Sequence, residues 1–328
     1  MPHSTKAEDD PRIHGQIREF LKELNNSGGE PLETLPPKEA RQVLIDAQNS
    51  VQVDVSGITE SQREITQDGL TVNIHVVKPE AAADALLPVF IYIHGGGWVL
   101  GDYPTHRRLV RDLVVHSGAA AVFVDYTPSP EARYPVALNE IYAATKWVAA
   151  NGAEIGVDGA NLAIAGNSVG GNMSAAICLM AKQRGGPAIK FQLLLWMVAD
   201  ADFTRDSWQK YANDRFLTAS MMKWMWDNYT TDPAQRKEIY ASPLQATVEQ
   251  LRGLPPALPQ LAENDILYDE GLAYARKLDQ AGVPVTIQTY NGFIHDYGLL
   301  NPLNHIEPVK RAVEHAALGL RNALFSEA

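Results

Sequence analysis

A chain of 328 residues with a formal net charge of −11 does not have the basic surface needed to bind nucleic acids or anionic membranes. Its 45% hydrophobic and 20% charged residues are typical of a globular protein, and its length suffices for one large domain with a sizeable core. Its single cysteine, Cys178, excludes an internal disulfide and is expected to be a small core residue.

No segment of the sequence predicts export or membrane insertion. Residues 1–10 lack the apolar stretch of a secretory signal peptide. The longest apolar runs elsewhere are too short to span a bilayer. We therefore expect a cytoplasmic protein with no membrane insertion and no nucleic-acid partner.

The pattern of apolar residues divides the chain into two parts. Residues 1–50 have apolar residues at helical spacing, broken by turn-forming residues at 26–29 and by two adjacent prolines. From about residue 70, strand-like and helix-like segments alternate, which predicts a mostly parallel sheet with helices on both faces. We therefore predict an N-terminal helical segment, 1–50, and an α/β domain, 51–328.

A glycine-rich loop follows a buried strand predicted at residues 88–93. Its sequence is His-Gly-Gly-Gly-Trp at 94–98. Consecutive glycines let backbone N–H groups turn toward an anion, either the oxyanion of a tetrahedral intermediate or a phosphate. A phosphate loop normally has Lys and then Ser or Thr after the last glycine, whereas Trp98 and Val99 follow here. The sequence therefore favours an oxyanion loop.

A second motif, Gly-Asn-Ser-Val-Gly at 166–170, fits the pattern Gly-x-Ser-x-Gly. The apolar run 162–165 predicts a buried strand before it, and residues 171–181 are rich in helix formers. Strand, sharp turn and helix in this order form a nucleophile elbow, which exposes a serine hydroxyl in a strained turn. Ser168 is therefore the candidate nucleophile.

Two carboxylates are candidates for the residue that orients a catalytic base. Asp265 stands at the end of a predicted strand and before a helix predicted at 269–281. Glu263 would reach the same region less directly. An aspartate in this place also suits a helix cap, but Asp265 is the preferred candidate.

The candidate base is His295, in a glycine-flanked loop after a β-like run at 285–290. The chain order Ser168, Asp265, His295 is that of the α/β-hydrolase triad, and other serine hydrolases use different orders. His106 and His116 lie in a helical stretch and are expected to be solvated or to cap a helix. No group of His, Cys, Asp or Glu residues has the spacing of metal ligands, so we expect no metal and no cofactor.

These motifs resemble those of the hormone-sensitive-lipase-like family of bacterial-type esterases within the α/β-hydrolases. Residues 94–97 match the family's His-Gly-Gly-Gly motif. Residues 166–171 match its Gly-Asp-Ser-Ala-Gly-Gly elbow, with Asn167 and Val169 as departures. The segment 265–271 resembles its Asp-Pro-Leu-Arg-Asp-Glu-Gly sequence. The resemblance covers roughly residue 70 to the C-terminus.

The resemblance implies an α/β-hydrolase fold with a mostly parallel eight-stranded central sheet, flanking helices and a helical cap. The cap would consist of residues 1–50 and a second insertion at about 201–240. Met197 and Ile266 stand where the family usually has proline, and Tyr268 stands where it usually has arginine. These departures lie near the strand ends that frame the pocket.

The residues suggest a mechanism in which Ser168 attacks an ester carbonyl, His295 takes its proton and Asp265 orients His295. Activity is then expected to rise with pH as His295 loses its proton. The resemblance implies that the oxyanion accepts hydrogen bonds from the N–H groups of Gly96, Gly97 and Val169.

The candidate substrate pocket lies between the strand ends and the second insertion. Met222, Trp226 and Tyr229 recur there at helical spacing. Such a helix packs on the core, lines an apolar pocket, or does both. The candidate pocket residues are Trp98, Asn167, Met197, Met222, Trp226 and Ile266.

The predicted function is hydrolysis of short- to medium-chain carboxylic esters, with a small-molecule ester as the partner. The same triad cleaves amides and carbamates, so an amidase or carbamate hydrolase is the alternative. A non-catalytic small-molecule receptor on this fold is a further alternative, because such a receptor does not need the base. A homodimer is also plausible, since the last strand of an open sheet leaves an edge that can pair.

Overall fold

One continuous eight-stranded sheet forms the centre of the computed structural model, which describes residues 5–325. Its strands, in chain order, are β1 (Ile58–Gln67), β2 (Leu70–Pro79), β3 (Leu87–Ile93), β4 (Ala120–Asp125), β5 (Val157–Asn167), β6 (Gln192–Leu195), β7 (Ala257–Asn264) and β8 (Gln288–Ile294). Their order in space is β1-β2-β4-β3-β5-β6-β7-β8. The β1–β2 and β2–β4 pairs are antiparallel and the other pairs are parallel. The predicted α/β fold is confirmed.

The central strands are apolar along most of their length because both faces of the sheet are covered. In β3, Val89, Ile91 and Ile93 face one hydrophobic cluster, whereas Phe90 and Tyr92 face the other. Near-continuous apolar runs of this kind are what a parallel sheet between two helical layers requires. Strand β1 lies at the edge of the sheet and is mostly polar and exposed.

Helices cover both faces. The α-helices of the described residues are α1 (Gly15–Asn26), α2 (Pro37–Asn49), α3 (Tyr103–Ser117), α4 (Val136–Asn151), α5 (Val169–Arg184), α6 (Asp206–Lys210), α7 (Ala219–Tyr229), α8 (Val248–Leu251), α9 (Tyr268–Gln280) and α10 (Glu307–Phe325). Short 3-10 helices lie at Ala7–Asp9, Leu32–Thr34, Glu80–Ala82, Gly152–Ile155, Gln235–Lys237, Pro243–Gln245 and Asn301–Leu303. Helices α1, α3 and α10 pack on one face, and α4, α5 and α9 on the other. Within residues 5–325, no helix is both long and apolar enough to cross a membrane.

The last strand differs from the β-like run predicted at 285–290. Strand β8 begins only at Gln288, and Val285 forms an isolated bridge to β7. Pro259 lies on β7 in the interval between that bridge and the first regular pair. Because proline has no N–H to donate, the ladder between β7 and β8 is interrupted there.

The two segments predicted to form a cap are in contact with each other. The N-terminal segment contributes α1 and α2, and the insertion between β6 and β7 contributes α6 and α7. Helix α7 packs against the 3-10 helix Leu32–Thr34 of the first segment. Their assignment as a cap stays a prediction. Residues 1–4 of the predicted segment 1–50, and residues 326–328 of the predicted domain 51–328, lie outside the described residues.

A buried ion pair connects the same two segments. Arg215 Nη2, from the insertion, lies 2.8 Å from Asp10 Oδ2, and both side chains are 2% exposed. Arg12 also donates to Asp10, at 2.6 Å. The hydrogen bonds from Arg12, and then from Arg215, hold the pKa of Asp10 well below its usual value despite burial.

The N-terminal segment also covers part of β8, the strand at the opposite edge of the sheet from β1. The N–H of His14 donates to the carbonyl of Gly292 in β8 at 2.9 Å. Gly292 has a φ of 80°, and a Cβ there would lie 3.1 Å from the His14 nitrogen. The close approach of the segment and the backbone conformation both favour glycine at this position.

Candidate active site

Ser168 occupies the sharp turn between β5 and α5. Its backbone has φ 54° and ψ −121°, which is a strained conformation for a residue other than glycine. Its N–H donates to the Leu195 carbonyl at 2.9 Å. Its own carbonyl accepts from the N–H groups of Asn172 and Val198, at 3.1 and 3.2 Å. These bonds hold the strained turn in place.

Two glycines of the elbow are required by close packing. A Cβ on Gly166 would lie 2.7 Å from the Ile93 carbonyl oxygen. A Cβ on Gly170 would lie 2.7 Å from the Ile93 carbonyl carbon and 2.9 Å from that of His94. Only hydrogen fits at either position. The first turn of α5 therefore abuts the end of β3 and the glycine-rich loop that follows it.

The structure brings the three predicted triad residues together. His295 Nε2 lies 3.0 Å from Ser168 Oγ, and His295 Nδ1 lies 2.7 Å from Asp265 Oδ2. Ser168 and Asp265 are 3% exposed and His295 is 2% exposed. In this dry setting the hydrogen bond to the carboxylate fixes the orientation of the imidazole, so that Nε2 faces the serine.

Glu263, the other carboxylate considered, has a different partner. Its Oε2 accepts the N–H of Gly292 at 2.8 Å, so it supports strand β8. Asp265 Oδ1 accepts the N–H of Leu267 at 2.9 Å. The turn after β7 therefore fixes the carboxylate that faces His295.

The charge state of His295 depends on two carboxylates. Burial lowers the pKa of His295, but the negative charges of Asp265 and Asp296 raise it by more, and the balance lies above the ordinary 6.5. Asp296 Oδ2 lies 3.8 Å from His295 Nε2, the nitrogen that faces the serine. Positive charge on this imidazole is therefore stabilised from both sides of the ring.

The glycine-rich loop presents free N–H groups beside the serine. Gly96 and Gly97 have φ values of 100° and 63°, and the Gly96 carbonyl accepts from the N–H groups of Val99 and Leu100. Within the described part of the chain, the N–H groups of Gly96, Gly97 and Val169 have no backbone acceptor. The loop abuts the elbow, and the assignment of these three donors to an oxyanion near Ser168 stays a prediction.

Asn167 joins this loop to the histidine loop. Its Oδ1 accepts from the Gly95 N–H at 2.9 Å and from the Tyr92 hydroxyl at 3.0 Å. Its Nδ2 donates to Asp296 Oδ1 at 3.1 Å, and Trp196 Nε1 donates to the same oxygen at 2.6 Å. Four loops at the carboxyl end of the sheet are thus connected by one buried network.

Comparison with known proteins agrees with this geometry. A family model described as alpha/beta hydrolase fold matches residues 90–299, which is most of the chain. The chain belongs to the α/β-hydrolase family. The predicted resemblance to its hormone-sensitive-lipase-like esterases is confirmed.

Named relatives of this α/β-hydrolase include esterases. It is 32% identical to an ethyl acetate hydrolase from Pseudomonas putida, over 84% of this chain and 88% of the relative. It is 36% identical to a carboxylesterase from Mycobacterium tuberculosis, over 79% and 80% of the two chains. Among solved structures, a thermostable esterase from Pseudomonas putida superposes with a TM-score of 0.96 at 58% identity, covering 97% of this chain and 99% of the other.

In this α/β-hydrolase, the six candidate pocket residues are all buried, with 0% exposure. Trp98 packs edge-on against Trp226, with ring centroids 4.7 Å apart. Met197 packs against Gly171 at the start of α5. Both polar groups of Asn167 are used within the network, so it supports the site rather than offering a free group to a ligand. Contact between substrate and the other five candidate pocket residues stays a prediction.

Two buried carboxylates at the site were not selected from the sequence. Asp296 directly follows His295, and no motif marked it. Glu270 lies in the segment that resembles the family's Asp-Glu-Gly, but its role was not predicted. Its oxygens accept from the Ala199 N–H at 2.8 Å and from Trp208 Nε1 at 3.0 Å. Burial, partly offset by these hydrogen bonds, raises the pKa of Glu270 to about 8.

The expectation for His106 was wrong. It was predicted to be solvated or to cap a helix, but it is fully buried in α3. Its Nδ1 lies 3.1 Å from the Asp102 carbonyl, and its ring packs 5.4 Å from that of His94 in the glycine-rich loop. Burial holds the pKa of His106 well below its ordinary value. Among the described residues, no three His, Cys, Asp or Glu side chains are grouped as a metal site.

Proposed function

We propose that this chain is a serine carboxylesterase that hydrolyses short- to medium-chain esters through an acyl-enzyme on Ser168. The observation that carries the proposal is the continuous hydrogen-bonded row from Asp265 through His295 to Ser168 Oγ. The esterase relatives support the reaction class, since their names specify ester hydrolysis. The triad supplies a nucleophile and a base, and the adjacent loop supplies donors for an oxyanion.

In the acylation step, Ser168 Oγ forms a bond to the carbonyl carbon of the ester. His295 Nε2 takes the hydroxyl proton, and the carbonyl electron pair moves to the oxygen, which accepts from the N–H groups of Gly96, Gly97 and Val169. When the tetrahedral intermediate collapses, the bond to the alcohol oxygen breaks and His295 returns the proton to the leaving alcohol. Each oxyanion donor is worth on the order of 3 kcal/mol of the barrier.

In the deacylation step, water replaces the alcohol. His295 takes a proton from the water, whose oxygen attacks the acyl carbonyl and re-forms the oxyanion. Collapse breaks the bond to Ser168 Oγ, and the proton returns to that oxygen as the carboxylic acid leaves. Asp265 stays ionised throughout and stabilises the imidazolium.

The burial of the site supports the proposal that its substrates are small. Ser168 is 3% exposed, and the glycine-rich loop beside it packs against helix α7 through the contact between Trp98 and Trp226. A long acyl chain would have to displace these packed side chains, which makes short and medium acyl groups the better fit.

The geometry also bears on the two alternatives. A receptor on this fold would have no need for a base aimed at the serine, yet His295 Nε2 lies 3.0 Å from Ser168 Oγ. This favours catalysis. An amidase or carbamate hydrolase would use the same triad, and the leaving group alone distinguishes it from an esterase.

The test is hydrolysis of p-nitrophenyl esters of increasing acyl length by the native chain, Ser168→Ala and Ser174→Ala. Ser174 is a buried serine on helix α5, which follows Ser168, and its hydroxyl donates to the Gly170 carbonyl at 2.7 Å. We expect turnover by the native chain and by Ser174→Ala, and none by Ser168→Ala. An inactive native chain that a fluorophosphonate still labels at Ser168 would contradict the substrate class. Failure of both turnover and labelling would favour the receptor.

Assembly and location also remain proposals. The first half of strand β8 lies at an open edge of the sheet, next to the partly exposed Ile287. We propose that a homodimer would use this edge, and light scattering of the purified chain tests it. The cytoplasmic location stays a prediction, which fractionation of the source cells would test.

A further inference from the structure

Helix α7 places a side chain on the oxyanion loop that the sequence did not single out. A Cβ built on Gly97 would overlap Sδ and Cγ of Met225 and would lie 2.7 Å from its Cε. These are the three nearest atoms, so Met225 is in van der Waals contact with the loop. Met222 and Trp226, the two residues predicted from this helix, contribute none of them.

The backbone that carries Met225 is held firmly. Tyr229, at the end of α7, stacks on Trp98 with ring centroids 4.1 Å apart and planes 3° from parallel. Its carbonyl accepts the N–H of Tyr134 at 3.0 Å. The methionine side chain, by contrast, is unbranched and has three rotatable bonds. Because the helix is fixed in this way, the space over Gly97 is determined by the side chain at position 225.

The oxyanion loop is covered unevenly. Gly97 is buried, whereas its neighbour Gly96 is partly exposed. Met225, which covers Gly97, is itself 4% exposed. The open side of the loop is therefore at Gly96, and Met225 forms the closed end at Gly97.

The sheet order indicates which part of an ester faces that closed end. Strand β5, which ends at Asn167 directly before Ser168, lies between β3 on one side and β6, β7 and β8 on the other. The leaving alcohol must lie at Nε2 of His295, in the loop that follows β8, because this atom protonates it. The oxyanion faces the N–H groups of the loop after β3. The acyl substituent then takes the remaining side of the carbonyl carbon, away from His295 and next to that loop, where Met225 covers Gly97.

We propose that Met225 is the specificity-determining residue for the acyl group. This rests on the esterase function proposed above. The thioether occupies the space over Gly97 into which a longer or branched acyl chain would extend. Within the short- to medium-chain range proposed above, the native enzyme therefore prefers shorter, unbranched acyl groups, and the size of residue 225 sets the upper limit.

The test compares kcat/KM for p-nitrophenyl acetate, butanoate, hexanoate, octanoate and isobutanoate. We expect Met225→Ala to raise the ratio of octanoate to acetate activity about tenfold, as the added space accepts extra methylenes. Met225→Phe should lower the ratio of hexanoate to acetate activity. Met225→Leu, which nearly conserves volume, should keep the native profile.

Two controls separate a local effect from a general one. Met221→Ala removes a buried methionine one turn earlier on the same helix and should leave both ratios unchanged. A second series, with an acetyl group and alcohols of increasing length, should respond little to Met225→Ala. Thermal unfolding of each variant shows whether it is folded, and rates of labelling by short- and long-chain alkyl fluorophosphonates give a readout that does not require turnover.

An unchanged acyl profile in a folded, acetate-active Met225→Ala would overturn the proposal while the esterase function stands. So would an equal change in Met221→Ala, or a change confined to the alcohol series. If no ester is turned over in a Ser168-dependent manner, the proposed function fails and this inference fails with it.

Discussion

The side-chain amide of Asn167 donates to the carboxylate of Asp296 at 3.1 Å, and both groups are buried beside the triad. The bond connects the nucleophile elbow to the loop of His295. The resembling family usually has aspartate at position 167, which has no proton to donate at neutral pH. In this chain, the amide at 167 and the carboxylate at 296 form a matched pair.

We predict that Asn167→Asp damages the protein although it introduces the family's usual residue. Two carboxylates would face each other out of water, and the donor to Asp296 would be lost. The free energy of unfolding should fall by about 1–3 kcal/mol, the usual cost of an unpaired buried group. Urea unfolding and kcat/KM for a short ester measure the two losses.

Asn167→Asp combined with Asp296→Asn reverses the pair and provides the control. It restores one donor facing one acceptor, so it should recover most of the lost stability. Double-mutant-cycle analysis tests this directly. If the effects of the two substitutions on the free energy of unfolding are additive, the two side chains are not coupled.

The pH profile is expected to depend on Asp296. His295 must be neutral to act as a base, so its raised pKa places the acidic limb of kcat/KM above the limb of an ordinary histidine. Asp296→Asn removes a negative charge 3.8 Å from Nε2, which lowers the pKa of His295 and moves the limb to lower pH. Asp84→Asn, at an exposed site, is the control. A limb that stays in place in Asp296→Asn would contradict the prediction.

Glu270 is expected to make stability fall as pH rises. When unfolded, its carboxyl group loses its proton near the ordinary pKa of 4.5, but the folded chain retains that proton up to about 8. Unfolding therefore releases a proton between these values and is favoured by raising the pH. Glu270→Gln has no such proton, so its free energy of unfolding should decline less steeply over this range.

Urea unfolding at several pH values measures the slopes for Glu270→Gln and the native chain. Glu249→Gln provides the matched control, because the Glu249 side chain is 80% exposed. Equal slopes for the native chain and Glu270→Gln would show that this carboxyl group does not titrate as described.

Arg215→Met is expected to loosen the N-terminal segment. The change leaves Asp10 buried with Arg12 as its charged partner, and losing one hydrogen bond to a charged group costs about 1.5–3 kcal/mol. Denaturant unfolding measures the loss of stability. In limited proteolysis, the variant should be cut faster than the native chain at sites within residues 5–50. Arg311→Met, which removes two exposed ion pairs, should change neither the stability nor the proteolysis. Unchanged proteolysis in Arg215→Met would indicate that other contacts hold the segment.

The triad was predictable because each member lies in a local context that the sequence records. Ser168 has a strand before it and a helix after it, and Asp265 and His295 follow strands of the same sheet. Glycines at 166 and 170 mark a close approach that the structure places at the end of β3. Site residues that are marked by their neighbours in the sequence can therefore be predicted from the sequence.

What could not be predicted depends on how distant segments pack. Helical spacing indicates one face of α7, but only the position of the helix on the sheet selects Met225 over Met222 as the residue against Gly97. The partners of Asp296 come from β5 and from the turn after β6, and no periodicity relates them. His106 was misjudged because a polar residue in a helix gives no sign that its neighbours bury it.

The hydrogen bond from His14 to Gly292 has a consequence for how the enzyme should be handled. The edge of β8, the strand that leads into His295, is shielded at Gly292 by backbone that lies within the first fifteen residues. A product trimmed there by a protease would keep its triad but would expose an unpaired strand edge. Loss of the N-terminus should therefore show first as self-association on storage, while the remaining monomer is still active.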